Sequence, residues 1–282
     1  MAISPSQVKE LRSKTGAGLM DCKRALEEHD GDIEAAQDAL RKKGQIIADK
    51  KSGREANEGM ISMLSDQSGK NWALVKINCE TDFVANNDQF IGLANKLCGL
   101  LLAADTDENF ATADTAEGNV KDILLEAITA LGENIVLGGC KKYQATDDSV
   151  IGKYTHTNSK IGVIVDLKTQ ATGNAEVEQL AKDLSMQIAA FQVEAISEKD
   201  VPAEILEKER VFLTEQAKES GKPDDVIAKM VEGRLKKFRK DICLLDQSFV
   251  KDPSMSAKDR VDSIAKSIGS EIEVSHFIKL SV

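Results

Sequence analysis

A chain of 282 residues with 37 Lys and Arg against 47 Asp and Glu carries a formal charge of −10, so a phosphate backbone is repelled and a protein partner is expected rather than nucleic acid. Its five scattered cysteines, Cys22, Cys79, Cys98, Cys140 and Cys243, form no CxxC and frame neither disulfides nor a zinc site. There is no apolar run of about 18 residues to cross a membrane and no basic-then-apolar leader after Met1, so the expectation is a cytoplasmic chain with reduced thiols, no membrane contact, no metal and no cofactor.

The length suits two or three modules. Ser4-Pro5-Ser6-Gln7 combines an N-cap hydroxyl, a proline at the first helical position and a glutamine three residues after the cap, which predicts a helix start. Val8 and Leu11, with Ile3, face inward. Thr15-Gly16-Ala17-Gly18 ends that helix, Leu19 to Glu28 predicts a second, and Asp32 is placed to cap a third carrying Ile33, Ala36 and Leu40 at helical spacing. Residues 1–54 hold 11 Lys and Arg against 9 Asp and Glu, a small basic head on an acidic body. The surplus sits in Arg41, Lys42, Lys43, Lys50, Lys51 and Arg54, which reads as a solvated connector because no aromatic residue is interleaved to stack on bases.

An arrangement then occurs twice. Met60 to Leu64, a turn at Asp66-Gln67-Ser68-Gly69, a strand Trp72 to Ile77 and a helix from about Asp88 to Leu102 recur as Val150 to His156, a turn at Thr157-Asn158-Ser159-Lys160, a strand Ile161 to Leu167 and a helix from about Ala175 to Phe191. The first copy carries two extra residues between strand and helix, so its stretch Glu80 to Asn87 is expected to project as a loop. Between the copies, Asp105 to Gly118 reads as surface connection, Val120 to Ala130 as a helix, and Ile135 to Leu137 as a strand ending at Gly138-Gly139, a boundary between two halves. Helices from Lys199-Asp200-Val201-Pro202 to Glu219 and from Asp224 onward, stopped between them at Ser220-Gly221-Lys222-Pro223, form an antiparallel hairpin. It is either an intramolecular strut or an arm for self-association or docking. The tail predicts a helix ending before Gly269 and a final strand.

No nucleotide-binding glycine loop, zinc-protease helix or nucleophile elbow is present. Cys79 as a reactive thiol has no nearby base. His156 stands alone in a loop. Asp82 and Phe83 have two readings from the residues alone: a capping carboxylate with a ring tucked into the core, or a ring and carboxylate offered to a partner's pocket and its polar or metal-bearing site.

Three segments together resemble a known family. Thr15-Gly16-Ala17-Gly18-Leu19-Met20-Asp21-Cys22-Lys23-Arg24-Ala25-Leu26, Asn78-Cys79-Glu80-Thr81-Asp82-Phe83-Val84-Ala85, and Gly221-Lys222-Pro223 with Met230-Val231-Glu232-Gly233-Arg234-Leu235-Lys236-Lys237-Phe238 are similar, in order, to the elongation factor Ts family. The resemblance implies an α+β fold. It has a ubiquitin-associated-like three-helix head with its linker (1–54) and two related α+β core subdomains (55–139 and 140–282), the second carrying a coiled-coil hairpin at about 199–241. It implies a non-enzymatic guanine-nucleotide exchange factor for elongation factor Tu. Thr81, Asp82, Phe83 and Val84 would enter beside the partner's magnesium site, Arg12, Met20 and Lys23 would grip from the head, and Leu131, Gly132 and His156 would be further contacts. A homodimer or a 2:2 complex with the partner stays open. The competing reading is a non-exchange interaction module acting through the head.

Overall fold

Ser4 opens the first helix as its chemistry predicts. In the computed structural model, which describes residues 3–219 and 223–282, the Ser4 side chain accepts from the Gln7 N–H and the Gln7 side chain accepts from the Ser4 N–H at the head of α1 (Pro5–Thr15). Gly16 closes this helix with φ 65°, a left-handed conformation that costs glycine little. After α2 (Leu19–Glu28), Asp32 accepts from the N–H groups of Glu34 and Ala35 to start α3 (Ile33–Lys51). Leu11, Cys22, Leu26 and Ala36 are fully buried between the three helices, with Val8, Ala25 and Leu40 around them and Ile3 and Ile33 at the margin.

The basic stretch is exposed to solvent, but as far as Lys51 it is helix rather than linker. The charges of α3 find partners distant in sequence, Arg41 pairing with Asp122, Lys43 with Asp21 at 2.6 Å and Lys51 donating to the Gly132 carbonyl, and just beyond the helix Arg54 pairs with Glu80 at 3.4 Å. These are surface pairs of at most about 1 kcal/mol each. What they show is that α3 packs on the helix Val120–Leu131, so the head is built onto the body.

β1 (Glu58–Ser65) and β2 (Asn71–Cys79) are antiparallel, joined by a turn in which the Asp66 carboxylate accepts from the Asn71 side chain and from the Lys70 and Asn71 N–H groups. Those bonds, the Asn71 side chain first, hold Asp66 down at about 2. A single helical turn, α4 (Asp82–Ala85), follows β2 and leads into α5 (Asp88–Ala103). The stretch expected to project as a loop therefore contains a helical turn.

Residues 105–118 are more than a surface connection. They hold a 3-10 turn, Phe110–Thr112, and the small ladder of β3 (Asp114–Thr115) with β4 (Gly118–Asn119). Phe110 is 1% exposed, inside the core formed by Val75, Ile77, Phe90 and Leu97. α6 (Val120–Leu131) ends at Gly132, and β5 (Val136–Gln144) completes a sheet of order β1-β2-β5.

Gly138-Gly139 does not end β5. The pairing runs Lys76 with Gly139 and then Ile77 with Leu137, leaving Gly138 as the extra residue of a β-bulge. A Cβ on Gly138 would overlap the Asn78 and Lys76 side chains, so the glycine serves close packing within a strand.

The second sheet is built from β6 (Ser149–Thr155), β7 (Ile161–Lys168) and the final strand β10 (Glu273–Ser281), in the order β10-β7-β6, with α7 (Ala175–Ala190) packed on it. Six residues join β7 to α7, against the eight between β2 and α5. α8 (Ala203–Lys218) and α9 (Asp224–Ile242) pack through Leu213, Ala217, Ile227, Val231 and Leu235. The expected stop at Ser220-Gly221-Lys222 lies outside the described residues. Short strands β8 (Ser248–Phe249) and β9 (Asp252–Ser256) precede α10 (Ala257–Ile268), which Gly269 closes, and β10 (Glu273–Ser281).

By contacts the chain forms two compact units, one of residues 1–144, 157–162 and 280–282, the other of residues 145–156 and 163–279. Helices and strands occur in both, in keeping with the α+β class. Among the described residues no helix is long and apolar enough to cross a membrane.

Candidate functional site

Phe83 is 84% exposed. Burying such a ring contributes about 1.5–3 kcal/mol, and this chain, with only 11 aromatic residues, leaves it in water. The reading that tucked the ring into the local core is therefore wrong for Phe83. The reading of Asp82 as the cap also fails: Thr81 is the N-cap, its hydroxyl accepting from the Val84 N–H at 3.3 Å, and Asp82 is the first residue of the turn.

A one-turn helix does not hold itself together in water. Two things hold α4. Val84 and Ala85 pack against the core of the first unit, which turns Asp82 and Phe83 outward. At the entry to the turn, the Glu133 carboxylate accepts from the Glu80 and Thr81 N–H groups, both at 3.0 Å, and from the Thr81 hydroxyl at 2.6 Å. The exchange is mutual, since the Glu80 carboxylate accepts from the Asn134 N–H at 2.7 Å, and the Asn134 side chain donates to the Arg54 carbonyl. The Asn134 bond first, then Arg54, hold Glu80 below the usual carboxylate range. Its contribution is thus present above the pKa of an unfolded glutamate and is lost as pH falls through the depressed value.

The segment Leu131 to Ile135 thereby meets the segment Glu80 to Val84. Leu131 is partly buried against the core, and Gly132 caps α6 with φ 76° while its carbonyl accepts from Lys51. None of Glu133, Glu80, Asn134 and Arg54 was singled out by sequence as a site residue, although Glu80 lies in the projecting stretch and Arg54 in the basic one. The one available signal was a glutamate directly after Leu131 and Gly132, which the resemblance had marked as further contacts.

Asp82 lines a shallow concavity with Glu58, Asn86, Asn158 and Lys160, all of the first unit. On the head, Arg12, Met20 and Lys23 are all exposed, Met20 at 64%, and Leu19 beside it is exposed too. The bonds of these residues stay local: the Arg12 carbonyl accepts from Gly16 and Lys23 pairs with Glu27 at 3.7 Å. His156, in the second unit, is exposed and meets Tyr154 edge to face at 6.3 Å.

Cys79 is fully buried, donates to the Thr81 carbonyl at 3.2 Å, and is pushed up to about 12 by burial and then by the Glu133 charge. A protonated, enclosed thiol is a poor nucleophile. Iodoacetamide at pH 8 is expected to leave Cys79 of the native chain unmodified and to label it only after denaturation; mass spectrometry of the tryptic peptide checks this. No group of His, Cys, Asp and Glu among the described residues is arranged to hold a metal ion.

With this geometry in view, the comparisons with known proteins decide the family. The family model described as Elongation factor TS matches residues 80–282. The elongation factor Ts of Aquifex aeolicus is 39% identical over 292 aligned residues, covering 100% of this chain and 98% of that protein. The chain belongs to the elongation factor Ts family. The elongation factor Ts of Alkalilimnicola ehrlichii is 43% identical, and one from Clostridium botulinum 41% identical, with 92% of each relative covered. Membership places the chain in translation elongation, as the three motifs implied. The family match begins at Glu80, the first residue of the clasped segment.

Proposed function

We propose that this chain is a guanine-nucleotide exchange factor of the cytoplasm that binds elongation factor Tu and promotes GDP release by disturbing the partner's magnesium and nucleotide site. The observation that carries this reading is Phe83, held in water on a short turn that is braced from behind. A rigid exposed ring is a strong interface anchor because little conformational freedom is lost when it enters a pocket. The adjacent Asp82 carboxylate would compete with the oxygens around a bound cation. Thr81 caps the turn and Val84 seats it, so these four residues form the exchange element. In this reading residues 1–54 are a ubiquitin-associated-like head on which Arg12, Met20 and Lys23 add grip, residues 55–139 and 140–282 are related core subdomains, and Leu131, Gly132 and His156 are outlying contacts.

The energetics are those of linkage. If the factor weakens GDP binding by some ratio, GDP weakens factor binding by the same ratio. Exchange then proceeds through a transient ternary complex with the overall nucleotide equilibrium unchanged, and no covalent bond is made or broken. The test is the release of fluorescently labelled GDP from elongation factor Tu in stopped flow. Addition of the chain should accelerate release in a saturable manner, and an unchanged rate at saturating concentrations would exclude the proposal. The interaction-module reading has less support, because the head packs on α6 and is not tethered by a free connector.

A further inference from the structure

We infer that Glu133 is the positioning residue of the exchange element, an inference that rests on the exchange reading above. The Glu133 carboxylate takes three hydrogen bonds from two consecutive residues, the Glu80 N–H, the Thr81 N–H and the Thr81 hydroxyl. The third sets the direction of the cap. A threonine hydroxyl has one proton and two lone pairs; when the proton points at Glu133, a lone pair is left facing the Val84 N–H, which it accepts at 3.3 Å. Glu133 thus orients the group that starts the turn, and the turn carries Asp82 and Phe83.

The rest of the clasp stiffens Glu133 itself. The neighbouring Asn134 donates its N–H to Glu80 and its side chain to the Arg54 carbonyl, while Gly132 on the other side accepts from Lys51. Residues 132–134 are therefore anchored at three points, and the carboxylate between them is a fixed support. Glu133 touches no bound nucleotide in this account; it acts through Thr81. Without it, the N–H groups of residues 80 and 81 lose their acceptor and the hydroxyl rotates freely, so the ring of Phe83 samples orientations that do not fit the partner. Misplacement of a positioned group affects a rate more than a binding constant, because the remaining contacts still form.

The intact chain with Glu133→Ala tests this through two readouts. Amide hydrogen exchange in the free protein should show protection at Glu80, Thr81 and Val84 falling about tenfold or more, with Val75 and Ile77 in β2 unchanged, as expected for local opening. Stimulated GDP release at saturating chain should fall roughly tenfold, the rate equivalent of one net charge-assisted hydrogen bond, while binding to nucleotide-free elongation factor Tu changes less than about threefold. Glu133→Gln, which keeps an acceptor oxygen, should recover part of the rate. Thr81→Val removes only the hydroxyl arm, should fall between, and guards against a Glu133→Ala chain that folds poorly. Undiminished release by Glu133→Ala, or unchanged protection at residues 80–84, overturns the role of Glu133 while the exchange reading stands. A wild-type chain without effect on GDP release overturns the exchange reading and this role with it.

Discussion

If the chain acts on elongation factor Tu as proposed, replacing Asp82 and Phe83 together by alanine should lower the maximal rate of stimulated GDP release by about 30-fold or more. That is the kinetic equivalent of roughly 2 kcal/mol, the scale on which an anchoring side chain at the centre of an interface acts. The folded chain should hardly notice the change. Phe83 is 84% exposed and Asp82 is exposed beside it, and substitutions at such sites shift stability by about 0.5 kcal/mol or less. Measuring thermal unfolding alongside stopped-flow release separates the two effects. Loss of release with an unchanged melting temperature assigns the pair to the partner. A lowered melting temperature would return Phe83 to a packing role, and unchanged release would remove both residues from the exchange element.

The second large effect is on stability and lies in the other unit. Gly152 is a buried residue of β6, which packs on α7, and a Cβ there would overlap the Ala181 carbonyl. The obstacle is helix backbone, which cannot swing aside as a side chain can. Gly152→Ala should therefore cost about 3 kcal/mol, at the upper end of overpacking penalties, and lower the melting temperature by roughly 11 °C for a unit of this size. Gly233→Ala is the opposite control. Gly233 lies within α9 with nothing near its missing Cβ, so alanine there should stabilise by about 0.5–1 kcal/mol through helix propensity. Equal melting temperatures for the two variants would contradict the packing described for β6 and α7.

Much of the fold was legible because it is locally encoded. The Ser4 to Gln7 capping box, the Asp32 cap and the Gly16 and Gly269 stops each act over three or four residues, and each appears where the residues place it. The twofold recurrence of hairpin and helix was legible for a related reason: strands and helices impress their periods on apolar residues wherever one face is buried. The partners of Arg41, Lys51 and Arg54 were not legible, because Asp122, the Gly132 carbonyl and Glu80 lie far along the chain or across a turn. Gly138-Gly139 looked like the end of a strand because a bulge and a strand end use the same residue type.

By itself, then, the amino-acid sequence determined the family, through three motifs in order, and the positions of most helices and strands, through caps and periodicity. Tertiary structure decided what the Thr81 to Val84 stretch is. A phenylalanine beside an aspartate reads from the residues alone first as core and only second as interface, and here Val84 and Ala85 take the inward positions while Phe83 is turned to water. The brace behind it joins Thr81 to Glu133 across 52 residues. No local pattern encodes such a bond, because it forms only when β2 and the end of α6 have been brought side by side.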